Sequence, residues 1–101
     1  MRRFAARRDA NEPEIVKALQ AAGAKVQPLD PGKGGVPDLL VGYHGRTLLL
    51  EVKNPARVGG RENKSKTLQK QTDFRKAWTG DPVRVVETVE DALATLTQPQ
   101  D

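Results

Sequence analysis

The sequence predicts an α/β domain: a small mixed β-sheet flanked by helices, in the order α-β-β-β-α-β-α. Three observations lead there. Residues 37–53, PDLLVGYHGRTLLLEVK, set two short aliphatic runs on either side of His44 and Gly45, the pattern of two strands joined by a tight turn. Segments with apolar residues at helical spacing precede and follow this hairpin. A last strand comes after the second of these helices, so it reaches the sheet by a crossover and should lie parallel to its neighbour. At 101 residues the chain reads as a single domain, 1–101, with a modest core.

Residues 1–8 read as a flexible basic arm carrying Arg2, Arg3, Arg7 and Arg8 without an acid. Asp9 and Asn11 compete as N-caps of the first helix, each with a glutamate three residues later, and Pro13 suits a first helical turn. The helix should run to about Ala22, with Gly23 closing it. Ile15, Val16, Leu19 and Ala22 mark its buried stripe; Glu12 falls on that stripe, whereas Glu14 keeps company with Lys17 and Ala21 and should be exposed. Residues 24–29 alternate weakly and read as the first strand. Residues 30–36, DPGKGGV, form a glycine-rich loop just before Asp38, where Lys33 can meet a phosphate.

After the hairpin, residues 54–66, NPARVGGRENKSK, are polar, basic and aperiodic, a loop that orders on a partner. The second helix should span 67–78, with Leu68, Gln71, Phe74 (or Arg75) and Trp78 at helical spacing and Gly80 beyond its end. Residues 83–86 are a short apolar strand. Thr88, followed by Asp91, caps a final helix containing Ala92, Leu93 and Leu96, and the tail at 98–101 should be frayed.

The hairpin register follows from its turn. With His44 and Gly45 as the two loop residues, Tyr43 faces Arg46, Val41 faces Leu48, Leu39 faces Leu50, and Asp38 faces Glu51. Alternation then sends Asp38, Glu51 and Lys53 to the same side of the sheet. Opposed residues have Cβ atoms roughly 4.5–5.5 Å apart, and like charges at that separation destabilise a sheet unless something positive lies between them. A divalent cation reverses the penalty, with Lys53 one pleat further on sharing the task. Val52 should point to the opposite side, into the core, leaving its carbonyl as another hard ligand; ligation by oxygen alone favours Mg²⁺ or Mn²⁺ over zinc. His44 lies at the turn, far from Asp38, and histidine tolerates left-handed turn conformations, so it is a turn residue and not a base.

Composition narrows the function classes. The chain has no cysteine, which excludes a disulfide framework and a thiolate metal site. No apolar run approaches the ~20 residues of a membrane span, and the Arg-rich start lacks the apolar segment of a signal peptide, so a cytoplasmic protein is expected. The net charge of +4 understates the asymmetry. Arg57, Arg61, Lys64, Lys66, Lys70 and Arg75 add to the basic arm, while Glu87, Glu90 and Asp91 gather toward the C-terminus. Such polarity suits a polyanion, the alternative being an ordinary solubilising surface.

Pro37 and Asp38, followed on the next strand by Glu51, Val52 and Lys53, resemble the PD-(D/E)XK nuclease motif, with a spacing similar to that of archaeal-type Holliday junction resolvases over about 11–96. The resemblance implies a restriction-endonuclease-like fold and a Mg²⁺-dependent DNA endonuclease, with Mn²⁺ able to substitute. Glu12 would complete an acidic cluster with Asp38 and Glu51, holding one or two ions, and Lys53 would stabilise the attacking hydroxide or the scissile phosphate. A glutamine on the second helix faces the active site in related nucleases, including the VRR-NUC type; Gln71 matches it, with Gln69 second. Arg2, Arg3, Arg7, Arg8, Lys33, Arg57, Arg61, Lys64 and Lys66 would contact DNA. The resolvase likeness implies a homodimer cutting opposed strands of a four-way junction, with Phe74, Trp78, Val83 and Val85 as interface candidates. The VRR-NUC likeness would suit a flap or fork nuclease. A non-catalytic DNA-binding module would keep the basic surface without needing Asp38, Glu51 and Lys53 together.

Overall fold

The computed structural model describes residues 10–30, 32–54 and 64–99, without the side chains of 64–68. The basic arm, Asp9, Arg57 and Arg61 therefore lie outside the described residues, and Lys64 and Lys66 are placed by their backbone alone.

The elements are α1 (Glu12–Ala21), β1 (Lys25–Pro28), β2 (Leu39–Tyr43), β3 (Arg46–Val52), α2 (Lys64–Ala77), β4 (Arg84–Val86) and α3 (Val89–Thr95). They make a mixed four-stranded sheet in the order β1-β2-β3-β4. β2 is antiparallel to both β1 and β3, and β4, arriving after α2, runs parallel to β3. Among the described residues no helix is long and apolar enough to cross a membrane.

The hairpin turn sets the register. His44 and Gly45 both have positive φ, 48° and 81°, the twist that a two-residue hairpin loop requires. Tyr43 then pairs with Arg46, and the ladder runs through Val41 with Leu48 to Leu39 with Leu50, as the two-residue loop predicts. Alternation gives the sheet two unlike faces. Val26, Leu39, Val41, Leu48, Leu50, Val52 and Val86 form one face, covered by Ile15 and Leu19 of α1 and by Ala92 and Leu96 at α3. Each such aliphatic side chain, fully buried, contributes about 1.5–3 kcal/mol. The other face carries Leu49 and Glu51, both buried.

Helix termini explain several boundaries. Gly23 has φ 101°, its N–H reaches the Gln20 carbonyl and that of Ala24 reaches Leu19, so the glycine closes α1 in a left-handed cap. Thr88 and Asp91 make a reciprocal capping box on α3. Asn11 holds the N-cap position of α1 but makes no capping hydrogen bond. Its amide instead donates to the Lys53 and Glu87 carbonyls, which pins the start of α1 to the ends of β3 and β4. Ala22, expected on the buried stripe, is exposed, because the helix ends before it and the chain is already turning toward β1. α2 begins at Lys64, three residues ahead of the expected Thr67, so Lys64 and Lys66 belong to the helix and not to the preceding loop. Without an apolar periodicity in 64–66 there was nothing to signal that start. Gln98 and Pro99, read as frayed tail, accept hydrogen bonds from the Arg84 guanidinium.

Candidate active site at the end of the hairpin

The site is built where the β2–β3 ladder stops. Tyr43 and Arg46 close a two-residue loop and so form a hydrogen-bonded pair; alternation makes Leu39 with Leu50, the last pair of the ladder, another, and one step further the same register would set Asp38 against Glu51 as a non-bonded pair, in which side chains stand closer. The following pair would be Pro37 with Val52, and proline has no N–H to give. Asp38 takes over the ladder there: its Oδ2 accepts from the Val52 N–H at 2.7 Å, while its main-chain carbonyl accepts from Leu29 at 2.8 Å. Lys53 turns to the other neighbour, donating its N–H to the Val86 carbonyl at 2.9 Å. The Val52 carbonyl is consequently directed to the Asp38 side of β3.

Glu51 is 4% exposed. Burial, and then the neighbouring Asp38 charge, push its pKa up from the ordinary 4.5 to about 7, against the opposing pull of Lys53 and Arg75. Gln71 of α2 bridges the two sides of this charge: its Nε2 donates to Glu51 Oε2 at 2.9 Å, and its Oε1 accepts from Lys53 Nζ at 3.4 Å. Lys53 Nζ lies 3.6 Å from Glu51 Oε2, yet its side chain remains 38% exposed, so the ammonium can serve a ligand from solvent as well as its carboxylate. The structure thus assembles Asp38, Glu51, Lys53 and Gln71, all expected from the sequence. Between the two glutamines the choice is clear, because Gln69 is exposed and bonded to Asp73 at 2.8 Å.

Glu12 is buried, as its place on the α1 stripe predicts, but it does not join the other two carboxylates. Among the described residues no group of three or more His, Cys, Asp or Glu side chains could hold a metal ion. The reason is topological: α1 packs on the Leu39, Leu50 and Val52 face, whereas Glu51 projects to the opposite face, toward α2. The donors that fit a hard cation are therefore Asp38, Glu51 and the Val52 carbonyl, oxygens throughout. A glutamate whose proton affinity is raised by burial and then by a second carboxylate is an environment that an added positive charge would relieve.

Two residues here carry weight that sequence reasoning missed. Arg75 is half-buried one helical turn beyond Gln71 and lowers the proton affinity of Glu51; the i, i+4 spacing from Gln71 was the available signal. Asn11 offered none, since its partners are main-chain carbonyls 42 and 76 residues away. Lys33 is exposed on the loop before Asp38, in a turn where Asp30 accepts from Gly32 and Lys33 N–H groups. His44 stacks on Tyr43, ring centroids 4.0 Å apart, at the far end of the hairpin. Of the interface candidates, Trp78 and Val85 are exposed and Phe74 and Val83 half-buried, with Phe74 stacked on Trp78 at 5.4 Å. No protein-family model, curated protein or solved structure matches the chain.

Proposed function

We propose that the chain is a metal-dependent endonuclease that hydrolyses DNA phosphodiesters at the Asp38, Glu51, Lys53 and Gln71 site. One observation carries the reading: two carboxylates, one close enough to raise the proton affinity of the other, stand at a strand end with a lysine beside them, and a glutamine from a separate helix ties one carboxylate to that lysine. A sheet has no structural use for like charges at such spacing, and they weaken it.

Asp38, Glu51 and the Val52 carbonyl are the groups that would hold Mg²⁺ or Mn²⁺. When bound, the ion supplies a water of lowered pKa and neutralises charge growing on the phosphate. The chain's own residues do the rest. Asp38 is fixed by the Val52 N–H, so its carboxylate keeps one orientation. Gln71 holds Glu51 and Lys53 at a set separation, and Lys53, exposed enough to reach outward, places a point charge against the scissile phosphate. Arg75 adds positive potential on the α2 side. Glu12 is not counted among these ligands, because no three acids of the described residues form a group that could hold an ion.

The restriction-endonuclease-like fold, and a four-way junction cut in opposed strands by a homodimer, complete the proposal; its support is the resolvase-like motif together with the exposed Trp78 and Val85 on the α2 and β4 side. The test is cleavage of labelled junction, flap and duplex DNA with Mg²⁺ and with EDTA, beside sedimentation. Paired nicks in the junction by a dimer are expected. A monomer that prefers flaps transfers the assignment to the VRR-NUC alternative, and no Mg²⁺-dependent cleavage of any substrate leaves a DNA-binding module.

A further inference from the structure

We propose that Gly35 is a positioning residue that sets the height of α2 and thereby aims Gln71 at Glu51 and Lys53. The inference rests on the reading of Gln71 as part of the active site. Among the described side chains of α2, Gln71 alone is buried, Phe74 and Arg75 are half-buried, and the remainder face solvent. The glycine-rich loop adds a contact of its own. A Cβ placed on Gly35 would run into the Lys70 carbonyl and lie 2.9 Å from the Gln71 N–H nitrogen, so the loop and the helix meet backbone to backbone at the very residue that bridges the site. Only glycine permits that approach.

Its neighbour is a built-in control. Gly34 and Gly35 have nearly the same left-handed backbone, φ 72° and 75°, so alanine strains both alike; yet a Cβ on Gly34 would meet nothing within 4 Å. Any difference between Gly34→Ala and Gly35→Ala therefore reports the helix contact. Two residues further on, the same loop passes through Pro37 to Asp38, so a displacement at Gly35 separates the two halves of the site.

The experiment uses the full-length chain in four forms: Gly34→Ala, Gly35→Ala, Gln71→Ala and the Gly35→Ala, Gln71→Ala double variant. The first readout is the NMR position of the Gln71 side-chain amide, assigned by its disappearance in Gln71→Ala. Gly34→Ala should keep it where the wild type has it, and Gly35→Ala should move it to the position of a solvated glutamine. The second is Mg²⁺-dependent cleavage. Gly35→Ala should lower kcat about 10²-fold, the scale of a 1 Å misplacement, with KM little changed. The double variant should lose no more than Gln71→Ala alone, because Gly35 acts through Gln71. An unmoved amide in folded Gly35→Ala, additive losses, or a Gly35→Ala chain that fails to fold beside a folded Gly34→Ala would each overturn the proposal. Should the wild type cleave no DNA, the endonuclease reading falls, and the amide still decides the role of Gly35.

Discussion

Replacing Glu51 with Gln should stabilise the protein, and by an amount that grows with pH. The folded chain holds the Glu51 carboxyl at a pKa of about 7, against 4.5 for an ordinary glutamate. Below 4.5 the group is protonated in both folded and unfolded states and contributes no pH dependence. Between 4.5 and about 7 the unfolded chain has lost the proton while the folded chain retains it, so unfolding releases a proton and rising pH favours unfolding. Above about 7 both states are ionised and the cost stays constant. The interval between the two values, at ~1.4 kcal/mol per pH unit, amounts to about 3 kcal/mol. Glutamine keeps the oxygen that accepts from Gln71 Nε2 at 2.9 Å, while the loss of the partly exposed ion pair with Lys53 returns about 0–1 kcal/mol. The net gain is then about 2–3 kcal/mol at pH 8 and close to zero at pH 4.5, or roughly 10–20 °C in Tm at the upper pH for a domain of this size. Thermal or urea unfolding of both proteins between pH 4.5 and 8 measures it. Using the difference between them removes every other titrating group. Two curves that run parallel, at any offset, would show that Glu51 does not hold its proton in the fold.

Three further outcomes follow from the same geometry. Asp38→Asn retains an oxygen to accept the Val52 N–H and removes the charge facing Glu51, so gel-shift affinity for DNA and thermal stability at pH 8 should be at least those of the wild type, while cleavage drops at least ~10²-fold; undiminished cleavage refutes the site. Mn²⁺ at 100 times its Kd should stabilise the folded chain by about 2.7 kcal/mol at pH 8, fading below about pH 7 as Glu51 takes up its proton, and EDTA or Glu51→Gln should abolish the effect; calorimetric scans without a pH-dependent shift would count against Asp38 and Glu51 as ligands. His44→Val forces a β-branched residue to φ 48° and should cost about 1–2 kcal/mol, read as a lowered midpoint in urea unfolding at pH 8.

How much could be read from the chain in advance depended on whether the controlling interaction was local. The hairpin register from Tyr43 with Arg46 to Leu39 with Leu50, which brings Asp38 near Glu51, was legible because it follows from counting outward from a two-residue turn, and His44 and Gly45 are residue types that tolerate the positive φ such a turn needs. Gly23 and Thr88 ended and began helices as expected, since each acts within four residues of itself. The start of α2 was illegible because 64–66 contains only Lys, Ser and Lys, which carry no periodic signal. Asn11 misled for a related reason: a helix cap is the commonest local use of that residue, and its actual partners, the Lys53 and Glu87 carbonyls, are distant in sequence.

The three-carboxylate cluster shows where the counting stops. Helical spacing correctly placed Glu12 on the buried side of α1, and counting along the strands brought Glu51 within reach of the Asp38 charge. Neither periodicity says which face of the sheet α1 will cover. That is decided by where the apolar area lies, and Leu39, Val41, Leu48, Leu50 and Val52 draw Ile15 and Leu19 to the side away from Glu51. α2 takes the opposite side, where the Gln71 bridge and the close approach of Gly35 join it to the site. The core thus assigns α1 and α3 to one face and leaves α2 to the other, and in doing so gives the carboxylate pair a glutamine and an arginine as companions in place of a third acid. A site so composed gains negative charge from two groups, not three, and the raised proton affinity of Glu51 makes its readiness for a cation a function of pH between 4.5 and about 7.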